Sequence, residues 1–222
     1  MPGEGKSTTS INIALALAEA DHSVVLVDGD MRRPKLDSYL DLVGKAGLST
    51  VLSGRASLSE VLQTTRYPGL TVLTSGGTPP NPSELLGSQA AKNLLGELRA
   101  KFDFVIVDSS PLLAVTDAAI LAAGSDGVLV MARFGHTKRD QLEHAVGNLE
   151  DVGARLLGAV FTMTPERGKS SYSYSYYGDE TTSASAHPEA PVEAPAETPD
   201  VTPPPGGVPV PQPNGRHGHG SS

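Results

Sequence analysis

Gly3-Glu4-Gly5-Lys6-Ser7-Thr8 runs directly into an Ala-rich, helix-forming stretch from Ser7 to Ala20. Gly5-Lys6-Ser7 is the closing half of the phosphate-binding pattern G-x-x-x-x-G-K-[ST], whose first glycine would fall one position before Met1. Glycine lets backbone N–H groups crowd against phosphate oxygens, and a helix N-terminus adds aligned donors and a positive dipole end. A lysine in this place bridges the outer phosphates of a nucleotide, and the serine hydroxyl suits Mg²⁺. Gly3, Glu4, Gly5, Lys6, Ser7 and Thr8 are therefore the candidate cradle for a nucleotide, with ATP and Mg²⁺ as its expected occupants. A plain Gly-rich turn would carry the same fragment, so its weight depends on what else the chain supplies.

Two further patterns supply it. Val24-Val25-Leu26-Val27 ends in Asp28-Gly29-Asp30-Met31-Arg32, and Phe104-Val105-Ile106-Val107 ends in Asp108-Ser109-Ser110-Pro111. Each places a carboxylate at the C-terminal edge of a buried strand, where open α/β sheets bind ligands. Carboxylates at two strand ends can hold Mg²⁺ through water and position an attacking group. Each aspartate alone could equally be a helix N-cap or a turn residue; beside the Gly5-Lys6-Ser7 turn that bland reading loses ground. Four tyrosines, Tyr172, Tyr174, Tyr176 and Tyr177, lie within six residues beyond the last predicted strand. Spaced by serine, they have no packed partner to serve, and a flexible tether would give them high local concentration at an active site.

Positioning these groups requires alternating strands and helices. Strands are predicted at Ser23 to Val27, Leu70 to Leu73, Phe104 to Val107, Gly127 to Met131 and Leu156 to Phe161. Helices are predicted at Ser7 to Ala20, Ser88 to Lys101, Thr116 to Ala123 and Lys138 to Val152, the first of them buried on much of its surface. The fold class is α/β, a mostly parallel sheet with helices on both faces. Residues 1–165 form the expected domain, 166–180 a tyrosine segment and 181–222 an acidic tail holding ten of the 18 prolines. The tail is expected to be disordered, because it cannot bury enough apolar surface to offset its ordering entropy.

Composition excludes several functions. The chain has no cysteine, hence no disulfide framework, thiolate metal site or cysteine nucleophile. Net charge is −8, with six acids against one base in residues 179–222, and no basic face large enough for nucleic acid emerges. The apolar runs are strand-sized, far short of the roughly 20 residues that span a bilayer.

In the order and spacing of its motifs the sequence resembles the bacterial tyrosine autokinases of capsular and exopolysaccharide synthesis, from Met1 to about Thr164. Pro2 to Thr8 matches the family's Walker A, Val24 to Pro34 its Walker A′, and Phe104 to Pro111 its Walker B. Pro80-Asn81-Pro82-Ser83-Glu84-Leu85-Leu86 and Leu113-Ala114-Val115-Thr116-Asp117-Ala118 fit further family segments. The resemblance implies an ATP-dependent tyrosine kinase of P-loop NTPase type that phosphorylates its own C-terminal cluster, here Tyr172, Tyr174, Tyr176 and Tyr177, and regulates polysaccharide polymerisation and export. Carried over by position, Lys6 stabilises phosphate charge and Ser7 and Asp108 organise Mg²⁺, with Asp28 also near the metal. Asp28 is the best candidate to help deprotonate the incoming tyrosine, and Asp30 supports the metal or the base. A tyrosine hydroxyl titrates near 10, so a neighbouring carboxylate or metal helps it attack at neutral pH. The implied partners are a membrane chain-length regulator, fused upstream or separate, and further copies of the chain in a ring. The implied place is the cytoplasmic face of the membrane.

Two departures from the family stand out. The family's P-loop is preceded by a buried strand that anchors it near the middle of the sheet; that strand is absent here, so a fragment or a misplaced start is expected, with unpaired neighbouring strands and exposed apolar surface. Related ATPases carry an Asn after the last strand to read adenine, where this chain has Thr162-Met163-Thr164. The competing readings are a partition-type or septum-positioning ATPase switch, which usually has a signature lysine where Met1 stands, and an inactive regulatory fragment.

Overall fold

The strand β1 (Val24–Asp28) is buried at all five positions, as a continuous run of Val and Leu predicts for a strand covered on both faces. In a computed structural model, which describes residues 3–165, β1 pairs in parallel with β3 (Leu70–Leu73) on one side and with β4 (Phe104–Asp108) on the other. A two-residue strand, β2 (Gln63–Thr64), adds an antiparallel edge, giving the order β2-β3-β1-β4. The side-chain alternation of β1 divides the core. Val25 and Val27 face Leu48, Leu86, Leu94 and Leu98, whereas Val24 and Leu26 face Ile11, Ala14, Ala18 and Leu36.

The second face is covered by α1 (Lys6–Glu19), which meets the sheet through its small residues Ala14 and Ala18. It is less covered than its composition predicts: only Ile11, Ala14 and Ala18 are buried, because Thr9, Ser10 and Ile13 line a cavity. The first face is covered by α5 (Pro82–Gly87) and α6 (Gln89–Lys101), together with the short helices α3 (Leu48–Leu52) and α4 (Leu58–Val61). Ser88 starts α6 by accepting the N–H of Ala91 at 3.2 Å, and α5 opens on Pro82, whose missing N–H costs nothing there. Helix α2 (Leu36–Leu40) follows the β1 turn, and α7 (Asp117–Ala123) precedes β5 (Val128–Arg133).

The parallel sheet is split rather than continuous. Among the described residues β5 pairs only with β6 (Leu156–Thr162), in a separate two-stranded parallel sheet flanked by α8 (Arg139–Asp151). A cavity of about 690 Å³ lies between β4 and β5, lined by residues of both and by Ile13, Leu95, Leu142 and Leu149. Phe104 and Leu129, on these strands, are 37% and 41% exposed. The unpaired edges and exposed apolar surface expected beside the P-loop are thus present. Among the described residues no helix is long and apolar enough to cross a membrane. The tyrosine cluster and the acidic tail lie outside the described residues.

Candidate functional site

The cradle is built where α1 begins. Gly5 precedes the helix with φ +83°, a left-handed conformation that glycine adopts without a Cβ penalty. Gly3 has φ +80°, and the helix ladder starts with Thr9 N–H on the Gly5 carbonyl at 2.9 Å. The first N–H groups of a helix point out of its N-terminus rather than into its ladder, a geometry suited to an anion. Lys6 Nζ lies 3.5 Å from Glu4 Oε2, with the lysine side chain 21% exposed. Ser7 and Thr8 occupy the first turn of the helix, Thr8 exposed.

The two carboxylates come together as the strand ends require. β1 and β4 are in register up to the pair Asp28 and Asp108, and Gly29 N–H donates to the Asp108 carbonyl at 2.8 Å. A Cβ on Gly29 would fall 2.7 Å from that carbonyl oxygen, so the close approach needs glycine. The Ser10 hydroxyl donates to Asp108 Oδ1 at 3.2 Å, and Ser7 lies one helical turn before it. Asp28 is 1% exposed and Asp108 3%. Burial pushes the Asp28 carboxyl up to about 6; backbone N–H donors from Leu36, Lys35 and Asp30 oppose the rise, and the Asp108 charge adds to it. Asp108 is raised as well, chiefly by burial, against the Ser7 and Ser10 hydroxyls and the Lys6 charge.

Asp28 and Asp30 also do what their bland reading foresaw. Asp28 Oδ2 accepts from Lys35 and Leu36 N–H at 3.0 and 3.1 Å, fixing the entry to α2. Asp30 Oδ1 accepts from Arg32 and Arg33 N–H at 3.2 and 3.0 Å, an Asx turn. Thus Lys6, Ser7, Asp28 and Asp108 meet at one edge of the sheet, Asp30 sits half-buried on the turn beside them, and Tyr172, Tyr174, Tyr176 and Tyr177 fall outside the described residues.

Several contributors went unread in the sequence. Ser10 lies one helical turn beyond Lys6, a spacing that turns it to the same face. Arg32 forks onto Asp117, Nε to Oδ2 at 2.7 Å and Nη2 to Oδ1 at 3.2 Å, while Ser83 hydrogen-bonds the same carboxylate. Three separate motif segments therefore meet at one buried charge, Asp117, which is fully buried. Thr162, in the segment where related ATPases carry an adenine-reading Asn, donates to the Glu4 carbonyl at 2.7 Å and so holds the P-loop.

The donor set suits Mg²⁺. It consists of hydroxyl and carboxylate oxygens, and two buried like charges side by side favour a cation between them. Among the described residues no group of three or more His, Cys, Asp or Glu converges. Mg²⁺ is ordinarily held by one or two carboxylates, waters and phosphate rather than by an all-protein cage.

Comparison with known proteins agrees with this geometry. The profile of the AAA domain family matches residues 2–155. The tyrosine-protein kinase YwqD of Bacillus subtilis is 40% identical over 177 residues, covering 80% of this chain and 74% of that protein. The tyrosine-protein kinase ptk of Acinetobacter johnsonii is 42% identical over 72% of this chain, but the chain spans only 22% of its length. Among solved structures, the kinase domain of the Escherichia coli tyrosine kinase ETK superposes with a TM-score of 0.73 at 35% identity, covering 79% of this chain and 69% of that one. With a P-loop, paired strand-end aspartates and kinase relatives matched along most of its length, the chain belongs to the bacterial tyrosine autokinase family.

Proposed function

We propose that this chain transfers the γ-phosphoryl group of Mg-ATP to tyrosine hydroxyls, foremost Tyr172, Tyr174, Tyr176 and Tyr177 of its own sequence. The observation that carries the reading is the meeting of Lys6, at the N-terminus of α1, with Asp28 and Asp108 in register at the ends of β1 and β4. The N–H groups of Gly5 to Thr8 and the Lys6 ammonium bind the phosphates and stabilise charge on the transferring group. Ser7 and Asp108 are the residues to hold Mg²⁺, which when bound neutralises phosphate charge. Asp28, with its carboxyl raised to about 6 by burial, accepts the tyrosine proton as the new O–P bond forms and the bond to ADP breaks.

The family's role carries over at the same level of proposal: control of capsular or exopolysaccharide polymerisation and export. A membrane chain-length regulator would hold the chain at the cytoplasmic face of the membrane, and several copies would phosphorylate one another.

The test is phosphosite mapping by mass spectrometry on the purified chain after incubation with Mg²⁺ and ATP, with Lys6→Met alongside. Phosphate on Tyr172 to Tyr177 that disappears in Lys6→Met is the expected result. ATP hydrolysis without tyrosine phosphate, with or without an added activator, would replace the kinase with an ATPase switch.

A further inference from the structure

The P-loop is gripped from the side by the β5–β6 sheet. Thr137 Oγ1 donates to Glu4 Oε1 at 2.9 Å, while the other carboxylate oxygen of Glu4 lies 3.5 Å from Lys6 Nζ. Thr137 Oγ1 itself accepts the Arg133 N–H at 2.9 Å, which leaves its single proton to point at Glu4. The turn carrying Thr137 is closed by His136 and Thr137 N–H on the Arg133 carbonyl, at 3.1 and 3.0 Å. On the backbone side of the same peptide, Thr162 Oγ1 donates to the Glu4 carbonyl at 2.7 Å, and Arg133 Nη1 donates to the Gly3 carbonyl at 3.1 Å. Glu4 is 6% exposed, and a carboxylate that covered stays in place only while donors hold it.

We infer that Thr137 is a positioning residue for Lys6, acting through Glu4, and that Thr162 fixes the same peptide from its backbone side. The inference rests on reading the P-loop as the ATP site. A lysine ammonium on four methylenes samples many rotamers, and a fixed carboxylate beside it selects those aimed at the phosphate cradle before the nucleotide arrives. Remove the Thr137 hydroxyl and the Glu4 carboxylate loses one of the donors that set its plane, which loosens the aim of Lys6. Because Lys6 acts most strongly on charge that develops during transfer, the loss falls on kcat more than on KM. Thr137 and Thr162 also tie the P-loop to a sheet that shares no strand pairing with the one carrying Asp28 and Asp108.

The experiment compares the full chain with Thr137→Val, Thr137→Ser and Thr162→Val. Hydrogen exchange of the Gly5 to Thr9 amides is read without nucleotide, and kcat and KM for ATP are read in tyrosine phosphorylation. Thr137→Val should speed exchange and lower kcat by about tenfold each, the loss of one charge-assisted hydrogen bond, with KM changed by less than about threefold. Thr137→Ser should restore both, and Thr162→Val should reproduce the faster exchange. Wild-type exchange and kcat in both valine variants, with Lys6→Met inactive, would overturn the positioning role and leave the kinase reading intact. A wild-type chain that fails to bind a fluorescent ATP analogue would remove the ATP reading itself. Should Thr137→Val fail to fold by circular dichroism, Thr162→Val decides the question: faster Gly5 to Thr9 exchange than wild type supports the inference, and wild-type exchange overturns it.

Discussion

At the scale of single residues, the site stores unfavourable electrostatics that the folded chain must tolerate. Asp28 binds its proton more tightly in the folded domain, at about 6, than in the unfolded chain, where the ordinary value is 3.8. Between those values the folded state holds the extra proton, so the contribution of Asp28 to stability is greatest at the acid end and falls as pH rises from about 4 through 6. Asp108 shifts in the same direction and adds to the slope. Asparagine has no proton to lose, but it gives up one acceptor for the Lys35, Leu36 and Asp30 amides. Asp28→Asn should therefore flatten this part of the profile and raise nucleotide-free stability at pH 7 by about 2 kcal/mol, while abolishing tyrosine phosphorylation. Melting temperatures from pH 4 to 8 check the first outcome, and a destabilised Asp28→Asn at pH 7 would refute it. This residue was legible in the sequence because a carboxylate ends an unbroken apolar run. Thr137 and Thr162 were not, since a lone threonine near a strand end announces nothing until the fold brings it to Glu4.

At the scale of elements, β1 and α1 could be read directly, as continuous apolar runs or helix-forming stretches longer than two turns. α2, α3, α4 and α5 could not, being four to six residues long and too short for a 3.6-residue period to show. Their signals were local ones: Ser57 and Glu60 form a capping box at α4, and Pro82 opens α5. In α6, Leu98 is fully buried in the core cluster that holds Val25 and Val27 of β1. Leu98→Ala should cost about 3 kcal/mol in urea unfolding with m unchanged, whereas Leu157→Ala, on the 57% exposed rim of β6, should cost less than about 1. Equal losses would mean that the β5–β6 sheet is covered in solution. Arg32 ties the turn after β1 to α5 and α7 through Ser83 and Asp117. Arg32→Lys should fail to restore the stability lost in Arg32→Ala, because an ammonium cannot make the two-pronged contact; comparing the melting temperatures of the two variants tests this.

At the scale of the molecule, the alternation of strands and helices made the α/β class readable, and the family resemblance pointed to unpaired strands beside the P-loop, but which two strands they are, β4 and β5, became visible only in three dimensions. The two strands run the same way: Arg99, just before β4, is 3.1 Å from Asp126, just before β5, while Gly3, Arg133 and Asp108 gather at their far ends. An extended segment laid between them in parallel would pair with both free edges, fill the cavity of about 690 Å³ and arrive at Gly3 from the correct direction. A strand buried on both faces, like β1, would need an unbroken apolar run of five or six residues. Fusing such a run ahead of residue 1 should raise the melting temperature by at least about 5 °C, at a few degrees per kcal/mol for a domain of this size. It should also slow hydrogen exchange at β4 and β5 more than at β3, since β1 and β3 are already paired. A fused run with charged residues at alternate positions should do neither, because one face would carry unpaired charge into an apolar layer. If both fusions stabilise equally, the gain comes from lengthening the chain, and the space between β4 and β5 is closed in solution by some other rearrangement.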